Sequence, residues 1–114
     1  MVPDLKGKVV LITGASTGIG AAVAQAFGAA GSTVVVHYHA SEAAARAVVA
    51  AIEADGGRAH ALRADATRPE QMVDLVRTAV ARCGRLDVVV NNVGGLVRRC
   101  PIAALAALGV APED

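Results

Sequence analysis

The segment 8–20, KVVLITGASTGIG, constrains this chain more than any other stretch. A short β-branched run, residues 9–13, leads straight into glycines at Gly14, Gly18 and Gly20, and alanine-rich helical sequence follows at once. Strand, glycine turn and helix start together make a site for a phosphate-bearing ligand. The first N–H groups of a helix have no partner within it, and the aligned peptide dipoles add partial positive charge there. A Cβ in such a turn would hold the backbone away from a pyrophosphate and disfavour left-handed dihedrals. The bland alternative is a glycine-rich turn that merely joins a strand to a helix.

The spacing is G-x-x-x-G-x-G, neither G-x-G-x-x-G nor the P-loop pattern G-x-x-x-x-G-K-[ST]. Lys6 and Lys8 are the only lysines and both precede the loop, so a mononucleotide triphosphatase would lack its phosphate-gripping cation. Bulk properties exclude other classes. A length of 114 residues is one domain, and a net charge of +1 gives no electrostatic case for nucleic acid or an anionic membrane surface. Aromatics are 2%, which removes the usual base-stacking platforms. Cys83 and Cys100 form no C-x-x-C pair and read as reduced thiols. The N-terminus has no apolar signal-peptide core and no stretch approaches a membrane span, so the expected location is cytoplasmic.

Strand and helix signals alternate along the chain. Residues 9–13 form the first expected strand, an unbroken apolar run of the kind buried on both faces of a parallel sheet. Ile19, Val23, Phe27 and Ala30 recur at helical spacing up to Gly31. Residues 33–38 are a second strand, and Ser41 is placed to N-cap a helix over 42–55 that Gly56 and Gly57 end. A weaker third strand spans 58–63. Thr67 and Glu70 form a capping box opening a helix to about residue 82, with core positions Met72, Leu75, Val76 and Val80. Gly84 closes it, and residues 86–91 are a fourth strand. Short right-handed crossovers between such strands predict an α/β, doubly wound parallel sheet in the order 3-2-1-4. The loops 14–20 and 91–95 then leave neighbouring strands at the topological switch point, where ligands bind.

With both loops in view, the chain resembles the N-terminal half of a short-chain dehydrogenase/reductase, and in particular the 3-oxoacyl-carrier-protein reductases and glucose-dehydrogenase-like members. Thr13-Gly14-Ala15-Ser16-Thr17-Gly18-Ile19-Gly20 matches the family's T-G-x-x-x-G-x-G, and Asn91-Asn92-Val93-Gly94 matches its N-N-A-G with Val for Ala. The resemblance covers residues 5–105 and implies a Rossmann-type fold. It implies that Gly14, Ser16, Thr17, Gly18, Ile19 and Gly20 line the pyrophosphate and adjoining ribose. Asp65 and Ala66 would border the adenine, while Asn92 and Gly94 would lie beside the ribose near the nicotinamide. Cofactor choice would be made after the second strand, where residues 36–41 carry no carboxylate to repel a 2′-phosphate. His39 and Ser41 stand where NADP-using relatives contact that phosphate. Thr17 occupies a place often basic in such relatives, so one charge-assisted contact is absent. The balance favours NADP(H) over NAD(H).

Competing structural readings stand beside these. Asp65 is also a plausible turn former, as are Asn91 and Asn92. His37 and His39 lie two apart near a strand end, but with no third ligand near them in sequence they predict no metal site. Arg98 and Arg99 read as a solvated face.

The family's chemistry uses a Ser and a Y-x-x-x-K pair, the Tyr acting as general acid or base with a nearby lysine lowering its pKa. Tyr38 is the only tyrosine and Glu42 stands four residues after it, so no such pair can be written. No catalytic residue is expected in this chain. Pro112-Glu113-Asp114 resembles a helix start, which predicts a chain cut after its fourth strand. That strand would then be an open apolar edge prone to self-association. Two principal readings follow. The first is the NADP(H)-binding portion of an oxidoreductase that moves hydride between nicotinamide and a carbonyl or secondary alcohol. The second is a non-catalytic dinucleotide-binding or interaction module stabilised by oligomerisation; a third reading is an inactive, degenerate product.

Overall fold

The computed structural model describes residues 5–16 and 18–92, and the backbone of a strand at 96–99. In chain order the elements are β1 (Val9–Ile12), α1 (Gly18–Ala29), β2 (Thr33–Tyr38), α2 (Glu42–Ala54), β3 (Arg58–Arg63), α3 (Pro69–Cys83), β4 (Val88–Asn91) and β5 (Leu96–Arg99). The sheet order is β3-β2-β1-β4-β5. The first four are mutually parallel, with Val9 opposite Thr33, Val10 opposite Val88, and Thr33 opposite Arg58. The doubly wound 3-2-1-4 arrangement read from the sequence is thus the observed one.

Alternation along the strands feeds two cores. Val10, Ile12, Val34, Val36 and Val90 point to one face, where Ala24 of α1 and Ala45, Val48 and Ile52 of α2 cover them. Val9, Leu11 and Val35 point to the other, under Leu75 and Ala79 of α3. Every residue of β1 is buried, as expected for a central strand sandwiched between helix layers.

Two local expectations are corrected, and a third holds in position only. The edge of β4 is not open: β5 pairs with it antiparallel, Val88 opposite Arg99 and Asn91 opposite Leu96. The chain therefore continues the sheet past its fourth strand, and the edge invoked for self-association is occupied. The capping box is also absent. Arg68 is the N-cap of α3, with Pro at the first turn. Thr67 instead donates its hydroxyl and backbone N–H to Asp65 Oδ1, at 2.6 and 2.9 Å. Ser41 does hold the N-cap position of α2, but its side chain makes no cap hydrogen bond. The backbone carbonyl of Ser41 accepts from the Ala45 N–H.

At the end of the sheet opposite the glycine loop, Asp87 ties β4 to β1. Its Oδ2 accepts from the Val9 N–H at 2.8 Å, and its own N–H donates to the Val9 carbonyl at 2.9 Å. Arg85 grips the same carboxylate with Nε and a terminal nitrogen, at 2.8 and 2.7 Å. Burial alone would raise the Asp87 pKa, but the Arg85 and Val9 hydrogen bonds outweigh it and hold the carboxyl below its usual range. Asp87→Ala orphans the Val9 N–H and is expected to destabilise by about 1–2 kcal/mol in urea denaturation near neutral pH. A depressed carboxyl contributes stability that is complete above its unfolded pKa of about 4 and is lost as pH falls through the folded value. The gap between wild type and variant should accordingly narrow in acid.

Candidate functional site

β1 has β2 on one side and β4 on the other, so the order of connection reverses at its carboxyl end. Two segments leave the sheet there: the glycine loop after β1 and the Asn91-Asn92 turn after β4. Thr13 extends the β1–β4 ladder, its N–H donating to the Val90 carbonyl at 3.0 Å, and its hydroxyl donates to Asn91 Oδ1 at 3.1 Å.

The loop is held at Gly14 from both sides. The Asn92 side-chain amide donates to the Gly14 carbonyl at 3.1 Å. The Gly14 N–H donates to Nδ1 of His37, at 2.9 Å. The next amide, of Ala15, donates to the His37 backbone carbonyl at 3.0 Å. Gly14 itself has φ 61°, in the left-handed region where a side chain is strained. The N–H groups of Gly14 and Ala15 are thus both engaged by His37.

Helix α1 starts at Gly18 with no acidic residue in its first turn to offset the positive end of its dipole. Gly20 is buried against the loop: an added Cβ would overlap the Gly14 carbonyl oxygen and lie 2.8 Å from Asn92 Nδ2. Ile19, one residue earlier, is 76% exposed, an apolar side chain presented to solvent beside the loop.

The ends of β2 and β3 bring the remaining candidates together. His39 and Ser41 are exposed, as is Ala66. His39 Nε2 lies 3.8 Å from Asp65 Oδ2, so the residues proposed for the 2′-phosphate and for the adenine are neighbours. Asp65 also shapes the turn into α3: its N–H donates to Gln71 Oε1 at 2.7 Å, and its carboxylate accepts from Thr67. Those Thr67 bonds are the main reason its pKa falls below the ordinary range, with smaller contributions from His39 and Arg68. Thr17 and Gly94, and the side chains of Arg98 and Arg99, lie outside the described residues. A surface cavity of about 230 Å³ lies elsewhere, between β3 and α3, lined by Leu62, Arg63, Gln71, Asp74, Leu75 and Thr78. It contains none of the glycine-loop residues.

His37 is the residue that sequence reasoning missed. Its side chain is 2% exposed and both ring nitrogens are engaged, Nδ1 by Gly14 and Nε2 by the Ala64 carbonyl at 2.8 Å. A backbone N–H can only donate, so Nδ1 is the bare nitrogen and Nε2 carries the proton. Burial pushes the imidazole below its ordinary pKa, against an opposing pull from the Ala64 carbonyl, and charge on His39 lowers it further. The available signal was a polar side chain inside the apolar run VVVHY, since a buried polar group needs a partner.

A parallel sheet wound on both faces, with a glycine loop and an Asn-bearing turn meeting where the strand order reverses, defines the Rossmann class of nucleotide-binding folds. The chain belongs to the short chain dehydrogenase family, whose model matches residues 8–108. It is 54% identical over 90 residues to an uncharacterized oxidoreductase of Methylorubrum extorquens, covering 79% of this chain and 36% of that protein. It is 47% identical over 90 residues to a 3-oxoacyl-[acyl-carrier-protein] reductase of Synechocystis, again covering 79% and 36%. A solved short chain dehydrogenase from Burkholderia cenocepacia, in complex with NADP, is 45% identical and superposes with a TM-score of 0.74. That match covers 76% of this chain and 36% of the other. The chain thus spans little more than a third of the length of these relatives.

Proposed function

We propose that this chain binds NADP(H) in the crevice between the β1 and β4 loops, as the cofactor portion of a carbonyl or secondary-alcohol oxidoreductase. The observation that carries this reading is the two-sided hold on Gly14. His37 and Asn92 hold the loop from both sides, and the start of α1 beside it carries no acidic side chain in its first turn. The residues fit a dinucleotide. Gly18, Ile19 and Gly20 would meet the pyrophosphate, together with Ser16 and Thr17, and Asp65 and Ala66 would border the adenine. Asn92 and Gly94 would flank the nicotinamide ribose. His39 and Ser41 would face the 2′-phosphate, in a segment without a carboxylate to repel it. When bound, the nicotinamide supplies the hydride chemistry. This chain orients the cofactor, while the acid–base step of the family pattern has no Y-x-x-x-K here to perform it. The NADP-bound relative from Burkholderia cenocepacia supports the same cofactor for this chain.

The test is a calorimetric titration of the 114-residue chain with NADPH and with NADH. Saturable binding, tighter for NADPH and lost in Gly14→Val, is the expected result. A folded sample that binds neither cofactor would retire this reading.

A further inference from the structure

We propose that His37 is the positioning residue of the phosphate loop: its bare Nδ1 holds the Gly14 amide in the cofactor-receiving conformation, and protonation of that nitrogen releases the loop. The inference rests on the dinucleotide reading above for what the loop receives, but the hold itself is geometric.

The His37 side chain spans three chain segments. It stands on β2, takes the first amide of the loop that follows β1, and gives its Nε2 proton to Ala64 beyond the end of β3. Its own carbonyl takes the second loop amide, from Ala15. One residue therefore engages two consecutive peptide N–H groups of the loop and sets their direction. A proton on Nδ1 would set donor against donor at 2.9 Å, in a place with almost no access to water. The ring would have to leave or the Gly14 peptide would have to move, and Gly14 carries the carbonyl that Asn92 holds and that Gly20 packs against.

The titratable groups around this ring are few. Residues 9–16 contain none, and neither Asn91 nor Asn92 titrates. Just past the end of β2 there is His39, whose charge opposes a second positive charge on His37. From beyond β3 there is Asp65, engaged by Thr67 and 3.8 Å from His39. A histidine with a lowered folded pKa contributes stability that is full above its unfolded value of about 6.5. That contribution is lost as pH falls through the lowered value, so release belongs to the acid side of neutrality.

The experiment compares wild type, His37→Asn and His37→Val, using NADP⁺ as calorimetric probe from about pH 8 down to about pH 5. Asn offers Oδ1 close to the position of Nδ1 and does not titrate. It is expected to bind NADP⁺ within about threefold of wild type at the upper pH, whereas His37→Val, with no acceptor, binds about tenfold more weakly. Toward about pH 5 wild type should lose at least about threefold more affinity than His37→Asn. The difference between those two profiles cancels the titration of the cofactor's own 2′-phosphate. Parallel profiles would overturn the proposal. The second measurement is the ¹⁵N spectrum of the imidazole with the Gly14 amide resonance, recorded on wild type without cofactor. A neutral ring protonated at Nε2, and a Gly14 amide that shifts and loses exchange protection as the ring titrates, are expected. An Nδ1–H tautomer, or a Gly14 amide indifferent to the ring's protonation, would overturn the proposal whether or not NADP⁺ binds. Absence of NADP⁺ binding by wild type with the expected spectrum would instead retire the dinucleotide reading alone.

Discussion

Gly20→Ala is expected to weaken NADPH binding by about a hundredfold or more and to cost about 3 kcal/mol of stability. The added methyl has nowhere to go. It would overlap the Gly14 carbonyl oxygen, approach Asn92 Nδ2 to 2.8 Å and meet Ala15 Cα at 3.0 Å. Two of those neighbours are backbone atoms, which cannot swing aside as a flexible side chain would. Moving Gly14 breaks its bonds to Asn92 and His37 together, so the loop loses both restraints that give it shape. Gly18→Ala makes the informative contrast. Its Cβ would meet no atom within 4 Å, and only its φ of 59° resists a side chain. The cost there is about 1–2 kcal/mol, from the left-handed backbone alone. Urea denaturation and calorimetric titration of both variants measure the two effects separately. Tight cofactor binding by Gly20→Ala would show that the contact between helix and loop does not govern the site.

The second large effect is at the junction of α1 and α2. Ile52→Ala is expected to destabilise by about 3 kcal/mol, at the middle of the range for a buried aliphatic truncation. Ile52 is 3% exposed and fills a notch formed by two glycines: its Cγ2 would lie 2.7 Å from a Cβ on Gly28 and 2.8 Å from one on Gly57. Glycines have no side chains with which to close over the void, so relaxation can recover little. The same geometry gives a signed coupling. Gly28→Ala alone should destabilise because its methyl strikes Ile52, whereas in the Ile52→Ala background that methyl enters the vacated space and should restore stability. A double-mutant cycle by urea denaturation reads the interaction, expected at about 1–3 kcal/mol. Additive effects would mean that Ile52 does not occupy the notch.

The parts of the fold that were legible in sequence are those written locally. Residues 33–38 and 58–63 are strands with the bounds their patterns implied, because β-branched or alternating runs begin just after the glycine stops that end the preceding helices. The 3-2-1-4 order followed from short right-handed crossovers rather than from any one residue. What escaped depends on distant partners. LVRR at 96–99 carries no strand pattern, and its pairing with β4 is a tertiary event. Thr67 and Glu70 have capping-box spacing, but Asp65 two residues earlier is the stronger partner for the Thr67 hydroxyl, so the helix starts at Pro69 instead. For the site, the glycines and Asn92 stood out by motif, whereas His39 and Asp65 stood out only separately and their 3.8 Å approach is a tertiary event. His37 did not stand out, because its role is defined by Gly14 and Ala64, residues 23 and 27 positions away.

The hold on Gly14 also dictates when the site can come into being. One restraint comes from a residue 23 positions later and the other from a residue 78 positions later. As the chain leaves the ribosome, the glycine loop emerges early and His37 soon after, but Asn92 follows only when nearly all of the described sheet has been made. Closing a span of that length costs little more entropy than closing a shorter one, so the delay is one of order rather than of energy. The two-sided hold on Gly14 is therefore complete only once β4 has been made. A nascent chain that has made only its first three strands carries the glycine motif with one of its two restraints still to come.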